Sequence, residues 1–346
     1  MAASKTPLYE ASTQFKNWRY SPQSLAKVRS SLNAAAVAVI RNTFEADEPG
    51  SSSAVSFLTP DEEILLVRLY VSKITQLCGF FRFPEEVEAT AVSYLKRFYL
   101  KNTVMDWHPK NVMLTALFLA TKTTNNPISL EAYTNNIPKT NPSDVLDLEF
   151  LIAQSLGFEF AVWHAHRALW GIWLDLQNAP DAPPNRAASQ SEVYDAALRH
   201  VRASRLSDAE LIYTPSQIAL ASLSMASPEL TAEWAASKFP SESPSLSMLQ
   251  STLGSITTLI ESAARPVDVE AVRGVDLRLK LCKNPEKVPG SKAYLAKKAE
   301  EDRKAEEKRN RKAAIDAQAM MEEGDPFGDE LAGRLVDYDD DDDDDD

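Results

Sequence analysis

Cysteine and glycine are scarce in this chain, which has 2 cysteines and 10 glycines among 346 residues. Cys78 and Cys282 lie far apart, so the sequence offers neither a disulfide framework nor a cysteine-based zinc site, and we expect a reducing compartment. Gly-rich phosphate-binding loops are missing, and we therefore expect no nucleotide or other cofactor. No apolar run approaches the roughly 18–20 residues that span a bilayer, and no N-terminal signal sequence is visible, so we expect no membrane partner.

Positive charge is also in deficit, because 37 Lys and Arg residues stand against 50 Asp and Glu residues, for a formal net charge of −13. Asp339 to Asp346 are eight consecutive aspartates, and we expect residues 324–346 to be a disordered acidic tail. Duplex DNA is bound largely by neutralising its phosphates with lysine and arginine. The charge balance therefore favours a protein partner and no direct contact with nucleic acid.

What the chain does contain is a helical rhythm of apolar residues, punctuated by proline. Thr59 and Glu62 form a capping-box pattern, with Pro60 in the first turn, and they open a helix that runs to about Phe80. Further helices are predicted at 24–40, 85–101, 110–124, 129–134 and 143–156. The sequence therefore predicts an all-α fold.

An internal repeat organises these helices. A shift of 106 positions aligns Trp107 with Tyr213 and Pro109 with Pro215, without a gap from residue 94 to residue 121. A period of this length is the size of a domain rather than of a solenoid repeat. We predict two tandem five-helix bundles with flanking N- and C-terminal helices. The predicted boundaries are an N-terminal segment with a helix and linker at 1–58, bundles at 59–160 and 161–264, and a charged helical extension at 265–323; the second bundle has a loop insertion at 178–190.

Lys122 ends a predicted helix whose other residues are small or apolar on every face. The equivalent position in the second repeat is Pro228, so the bundle itself does not require this charge. Either the lysine satisfies the helix dipole and extends into solvent, or it contacts a partner. Glu149 lies among apolar residues in "DVLDLEFLIAQSLGF", where an unpaired carboxylate is costly. Lys122 is a candidate for its partner.

Several other features have plain structural interpretations. His164 and His166 are two residues apart and do not share a helix face, so packing at the boundary between the bundles is favoured over a metal site, and we expect no bound metal. Trp163, Trp170 and Leu174, together with Trp173, form an apolar stripe that we expect to be buried in the core or between the repeats. The segment "KKAEEDRKAEEKRNRK" suits a solvated charged helix better than a nuclear-import signal.

Taken together, these motifs resemble the cyclin boxes of the cyclin family. The resemblance rests on the tandem five-helix units, on the helix that ends Ala-x-Lys at Lys122, and on the glutamate before "FLIAQSLGF". "STQFKNWRYS" at 12–21 and "LIYTPSQIALAS" at 211–222 are similar to the cyclin H branch of that family. The similarity covers roughly residues 8–285.

The resemblance implies a non-catalytic regulatory subunit that binds and activates a cyclin-dependent kinase in the nucleus. It implies membership of the kinase-activating complex and of transcription factor IIH, together with a RING-finger assembly subunit. The kinase would phosphorylate other such kinases and the C-terminal repeats of RNA polymerase II. By resemblance, Lys122 and Glu149 are the polar anchors of the kinase interface. Positions that match apolar or nearby contacts are Leu119, Thr123, Ala153 and Phe160.

Two departures from the family pattern limit what can be carried over. Mitotic cyclins dock substrates with a Met-Arg-Ala-Ile-Leu run, but the comparable helix here reads "DEEILLVRLY". An acidic pair that follows the lysine in cyclin H is replaced by "TTNN". Two alternatives remain open: another transcriptional cyclin of the C, K, L or T type, or a transcription-factor-IIB-like core that binds promoter DNA.

Overall fold

A computed structural model describes residues 7–179, 190–240, 243–265, 267–288 and 290–322. Within these ranges, every regular element is a helix. The chain divides into two compact units, Met1–Lys287 and Val288–Asp346, each of which is described by itself. The predicted tail at 324–346 and most of the predicted insertion at 178–190 lie outside the described residues. The all-α expectation is confirmed.

The first unit consists of an N-terminal region, two helical bundles and a final helix. Its N-terminal helices are α1 (Thr13–Asn17) and α2 (Pro22–Asp47). The first bundle contains α3 (Pro60–Phe81), α4 (Glu85–Phe98), α5 (Pro109–Thr123), α6 (Leu130–Asn135), α7 (Pro142–Leu146) and α8 (Glu149–Ser155). The second contains α9 (Ala165–Gln177), α10 (Ser191–Ser204), α11 (Ala209–Ile212), α12 (Pro215–Ala226), α13 (Pro228–Lys238) and α14 (Pro244–Ala264), and α15 (Val269–Leu281) follows. The second unit contains α16 (Lys292–Glu322).

Proline and a capping side chain start several of these helices, as the sequence indicates. The Thr59 hydroxyl accepts a hydrogen bond from the Glu62 amide, and the Glu62 side chain accepts one from the Thr59 amide. Thr214 and Gln217 form the same capping box in the second bundle. Each box satisfies backbone donors that the first turn leaves free, which fixes where α3 and α12 begin.

Helices α5 and α12 lie at the centres of the two bundles and contact most of their neighbours. Small side chains on them are fully buried and let adjacent helices approach closely; examples are Ala116 and Ala120 in α5 and Ala219 and Ala221 in α12. Leu114 and Leu117 fill the core around α5, and Leu223 fills the core around α12. Each bundle is therefore built around one central helix that is largely buried.

The predicted helix at 143–156 is wrong as a single element, because the chain forms α7 and then α8. Asp147 and Leu148, which separate them, keep near-helical dihedral angles. Because these angles are nearly helical, the apolar residues keep almost the same periodicity across the break. The sequence pattern therefore does not reveal the break between α7 and α8. The break places Glu149 at the start of α8 instead of the middle of a buried helix.

Helix α3 is long and apolar enough to cross a membrane by length and composition alone, with a mean hydropathy of 1.4 over 18 residues. In the fold it packs against α4, α5 and α15. Leu66, Val71 and Ile74 are buried in those contacts, and Arg68 donates to the backbone carbonyl of Arg265 at 2.8 Å. Helix packing therefore accounts for part of its apolar composition, since 22% of that 18-residue window is buried.

The N-terminal segment joins the two bundles. Trp18 is buried, and its Nε1 donates to a carboxylate oxygen of Glu159 at 2.6 Å, while the Arg97 guanidinium lies 5.1 Å from the centre of its ring system. Gln14 exchanges two hydrogen bonds with the backbone of Trp163, in which its Oε1 accepts from the amide at 2.7 Å and its Nε2 donates to the carbonyl. The segment that resembles the family motif is thus part of the joint.

Ion pairs between α4 and the carboxyl end of α10 hold the bundles together. Arg205 bonds to Glu88 at 2.8 Å and also to Glu85, and Arg202 bonds to Glu85 at 2.7 Å. Burial acts to raise the pKa of Glu85, but hydrogen bonds from Arg202 and the charge of Arg205 outweigh it and hold that pKa below its ordinary value. Lys96 pairs with Glu210 at 2.8 Å further along the interface. Ion pairs, as well as apolar contacts, therefore hold the two bundles together.

His164 and His166 also lie at this boundary, with their rings stacked at 5.1 Å. His164 Nε2 is 3.0 Å from the hydroxyl of Thr90, which agrees with packing at the bundle boundary. Burial lowers the pKa of His164 well below its ordinary value and lowers that of His166 to about 4, with Arg205 adding to both shifts. Among the described residues, no three His, Cys, Asp or Glu side chains converge as a metal site would need.

These shifts predict that the fold loses stability as the pH falls from 7 to about 5.5. Unfolded histidine titrates near pH 6.5, so in this window the unfolded chain binds more protons than the folded chain, and the free energy of unfolding falls with pH. Calorimetric melting across this pH range measures how steeply the free energy of unfolding depends on pH. His166→Gln should make that dependence less steep. Equal dependence in the variant and the original chain would contradict the role given to His166.

Candidate partner-binding surface

Lys122 lies in the last turn of α5, at one end of the first bundle, and its side chain is 41% exposed. Its ammonium group lies 4.7 Å from the centre of the Phe118 ring, which is buried beneath it. The group also forms an ion pair with the Glu149 carboxylate. The pairing that the sequence suggested is present, and the lysine is held over an aromatic ring instead of extending freely into solvent.

The local structure of both helices favours this ion pair. Lys122 lies at the carboxyl end of α5, where backbone carbonyls leave partial negative charge, and Glu149 begins α8, where free amides leave partial positive charge. Each charge is thus placed at the helix end that stabilises it. Leu146 is 45% exposed and Phe150 is 70% exposed, but Leu148, Leu151 and Ile152 belong to the core of the first bundle, and the Glu149 side chain is only 26% exposed. The carboxylate is therefore partly buried beside its partner.

The other sequence-predicted residues lie beside or beneath the pair. The Thr123 hydroxyl lies 3.0 Å from the Tyr94 hydroxyl, and Tyr94 in turn donates to the backbone carbonyl of Phe160 at 2.7 Å. Burial raises the pKa of Tyr94 to about 12, so it remains a hydrogen-bond donor. Leu119 and Ala153 are 6% and 8% exposed and form the floor of the surface.

Sequence reasoning missed two aromatic side chains on this surface. Phe150 and Phe158 are 70% and 56% exposed, and their ring centres are 6.2 Å apart. Phe158 also meets Phe160 edge to face at 6.4 Å. Helix α8 ends in a Schellman motif, in which the amides of Gly157 and Phe158 bond back to carbonyls of the helix and both residues have positive φ. The glycine in "SLGFEF" was the available signal for that turn.

We call this surface the Lys122 face; its residues are Leu119, Lys122, Thr123, Glu149, Phe150, Ala153, Phe158 and Phe160. It combines a pre-formed ion pair with exposed aromatic rings, which is a composition typical of the energetically dominant part of protein interfaces. It is suited to holding a protein partner.

Comparisons with known protein families match both bundles. The cyclin N-terminal domain family matches residues 60–161, and the cyclin C-terminal domain family matches residues 164–261. The chain is 30% identical over 303 residues to cyclin mcs2 of Schizosaccharomyces pombe, which covers 85% of this chain and 91% of that protein. It is 32% identical over 226 residues to cyclin-H of Xenopus laevis, covering 62% of this chain and 67% of that protein.

Two solved structures are similar to the fold. One chain of the CAK complex from Chaetomium thermophilum bound to ATP-gamma-S matches with a TM-score of 0.74 and 28% identity, over 81% of this chain and 90% of that chain. One chain of the yeast TFIIK (Kin28/Ccl1/Tfb3) complex matches with a TM-score of 0.60 and 29% identity, over 73% of this chain and 100% of that chain.

Proposed function

The chain belongs to the cyclin family, and we infer that it is a cyclin H-like regulatory subunit of a cyclin-dependent kinase. The kinase belongs to the kinase-activating complex and to the kinase module of transcription factor IIH. This inference draws on similarity to chains found in the CAK and TFIIK complexes, and on the similarity of the N-terminal segment to the cyclin H branch.

One observation carries the kinase-binding role, namely that the Lys122 face is already assembled in the isolated chain. The ion pair is fixed by two helix ends, and Tyr94 ties α5 to the segment after α8. An interface that needs no rearrangement loses less conformational entropy on binding. The second bundle has Pro228 in place of the lysine, so this charged surface belongs to the first bundle.

The mechanism is a shift in the conformational equilibrium of the kinase. A kinase is active when the ion pair between its strand lysine and its C-helix glutamate is closed. A rigid surface that binds the C helix only in that position favours the active state by its differential affinity for the two states. The cyclin supplies binding energy, and the kinase supplies the catalytic groups.

The assembly in which this happens is a further part of the proposal. We place a RING-finger assembly subunit beside the cyclin and the kinase, and we place the complex in the nucleus, where it phosphorylates RNA polymerase II and other cyclin-dependent kinases. The three proteins named for the yeast TFIIK complex support a three-subunit arrangement.

Affinity purification of the full chain from nuclear extract, followed by mass spectrometry, tests this assignment. The expected partners are one cyclin-dependent kinase, a RING-finger subunit and further subunits of transcription factor IIH. Recovery of a kinase from a different transcriptional complex would favour a C-, K-, L- or T-type cyclin. A salt-sensitive gel shift with promoter DNA, without any kinase, would favour the transcription-factor-IIB-like alternative.

Phe150→Ala and Phe158→Ala should each weaken kinase affinity by about tenfold, because exposed aromatic rings at the centre of an interface contribute roughly 1–2 kcal/mol or more. The melting temperature should not change, since both rings are largely exposed in the free chain. Calorimetric titration with the purified kinase measures the effect. Leu277→Ala, which removes a 61% exposed side chain from α15, is the control and should bind normally.

A further inference from the structure

Helix α16 carries a concentration of positive charge at 303–312, only part of which is paired with a described carboxylate. Residues 303–312 contain six basic residues and two acidic ones. Lys304 pairs with Glu300 at 2.6 Å, but Lys308, Arg311 and Lys312 form no ion pair with any described residue. Every side chain from 301 to 315 is exposed. An exposed helix segment with a net positive charge is a ready binding surface for a polyanion.

Four of these cations form a stripe along one side of the helix. Lys304, Lys308, Arg311 and Lys312 follow one another at spacings of three, four or one residues, which places them on a common face. We call this set the basic stripe. It is about 12 Å long, and Lys304, Lys308 and Lys312 succeed one another at about 6 Å, given a rise of about 1.5 Å per residue.

We propose that the aspartate run Asp339–Asp346 of the same molecule binds the basic stripe and shields it from external polyanions. On one side of an extended chain, successive carboxylates are about 6.8 Å apart, which is close to the spacing of the lysines on the stripe. The run supplies eight negative charges to a helix segment with a net positive charge. Spacing and charge therefore match.

The length of the intervening chain permits this contact. Helix α16 ends at Glu322, and 14 residues separate it from Asp337, where the acidic segment begins. Fourteen residues can span up to about 46–50 Å, whereas the distance from the end of the helix back to Lys308 is about 21 Å. A tether of this length also gives the run an effective concentration near the millimolar range.

Carbodiimide cross-linking of the full chain tests the proposal, because this reagent joins a carboxylate directly to an adjacent lysine amine. At low salt, peptides from 339–346 should be joined to Lys304, Lys308 and Lys312, at least fivefold more often than to Lys298 on another face. Salt at 1 M should abolish these links, since the contact is electrostatic. Links spread over all exposed lysines in the chain would overturn the proposal.

Two further measurements separate this contact from other occupants of the stripe. Cross-linking a mixture of isotopically light and heavy chains should give links within one chain; links between light and heavy chains would assign the stripe to a second copy and overturn the proposal. A chain that ends at Val336 should bind heparin at least tenfold more tightly than the full chain at low salt, and equal affinities would also overturn it. In the chain that ends at Val336, the triple variant Lys304→Gln, Lys308→Gln, Arg311→Gln should lose the gain in heparin affinity. The control Lys298→Gln, Arg303→Gln, Arg309→Gln, which removes the same charge from other faces, should keep it.

Discussion

Glu149→Lys should reduce the affinity of the chain for its kinase by at least about 100-fold, which corresponds to roughly 3 kcal/mol. The substitution breaks the ion pair with Lys122 and places two ammonium groups next to each other on the Lys122 face. The interface then has to bury like charges without a counter-charge. The fold should be affected little, because exposed ion pairs contribute about 0–1 kcal/mol. Titration with the purified kinase gives the affinity, and calorimetric melting should give a midpoint within a few degrees of the original.

Two variants separate recognition from general charge effects. Glu270→Lys makes the same change at a 79% exposed carboxylate on α15, and it should bind the kinase normally. The exchange variant Lys122→Glu with Glu149→Lys restores the ion pair in reverse. If the kinase recognises the orientation of the pair, the exchange variant stays weak. If its binding is normal, the pair only holds α5 and α8 together, and the proposed contact with the kinase is wrong.

The sequence predicts much of this surface because its polar part is set by local features. Lys122 stands out at the end of an apolar helix, and the internal repeat shows that the fold does not need it. Helix starts are predictable for the same reason, since Thr59, Pro60 and Glu62 are neighbours in the chain. Such features depend on a few adjacent residues and on the known periodicity of a helix.

The aromatic part of the surface could not be predicted in this way. Phe150 has an apolar side chain in an apolar segment, so its pattern indicates burial, yet the break before α8 turns it outward. The expected burial of the apolar stripe is confirmed for Trp173, which is 4% exposed, but was wrong for Trp163, Trp170 and Leu174, which are 43%, 50% and 38% exposed. Tertiary packing decides which apolar residues face outward. Apolar residues are common on protein surfaces, so residue type alone does not show whether a given one is buried.

The joint between the bundles is also beyond sequence reasoning, because its partners are far apart in the chain. Arg205 lies 117 positions after Glu88, and nothing in the local sequence of either residue marks the other. The Trp18 contact with Glu159 spans 141 positions. Resemblance to a family indicated that the N-terminal segment matters, but only the fold shows that it fastens one bundle to the other.

This joint leads to the second large expected effect. Arg205→Met should lower the stability of the first unit by about 3–5 kcal/mol, because removing one partner of a buried ion pair leaves the other charges uncompensated. The Arg205 side chain is only 9% exposed, and Glu85 and Glu88 would both lose a partner. In a unit of this size, the loss corresponds to a fall of roughly 6–15 °C in the melting midpoint. Calorimetry on the full chain at pH 7 measures it.

Arg202→Met is the matched control, since Arg202 lies in the last turn of α10, just before Arg205, and bonds to the same Glu85 but is 49% exposed. It should lower stability by less than about 1 kcal/mol, as exposed pairs do. Adding Glu88→Gln should recover part of the Arg205→Met loss, because it removes a carboxylate that the missing arginine leaves without its ion-pair partner. Equal effects of the two arginine substitutions, with no recovery by Glu88→Gln, would mean that Arg205 stabilises the joint by packing and not by its charge.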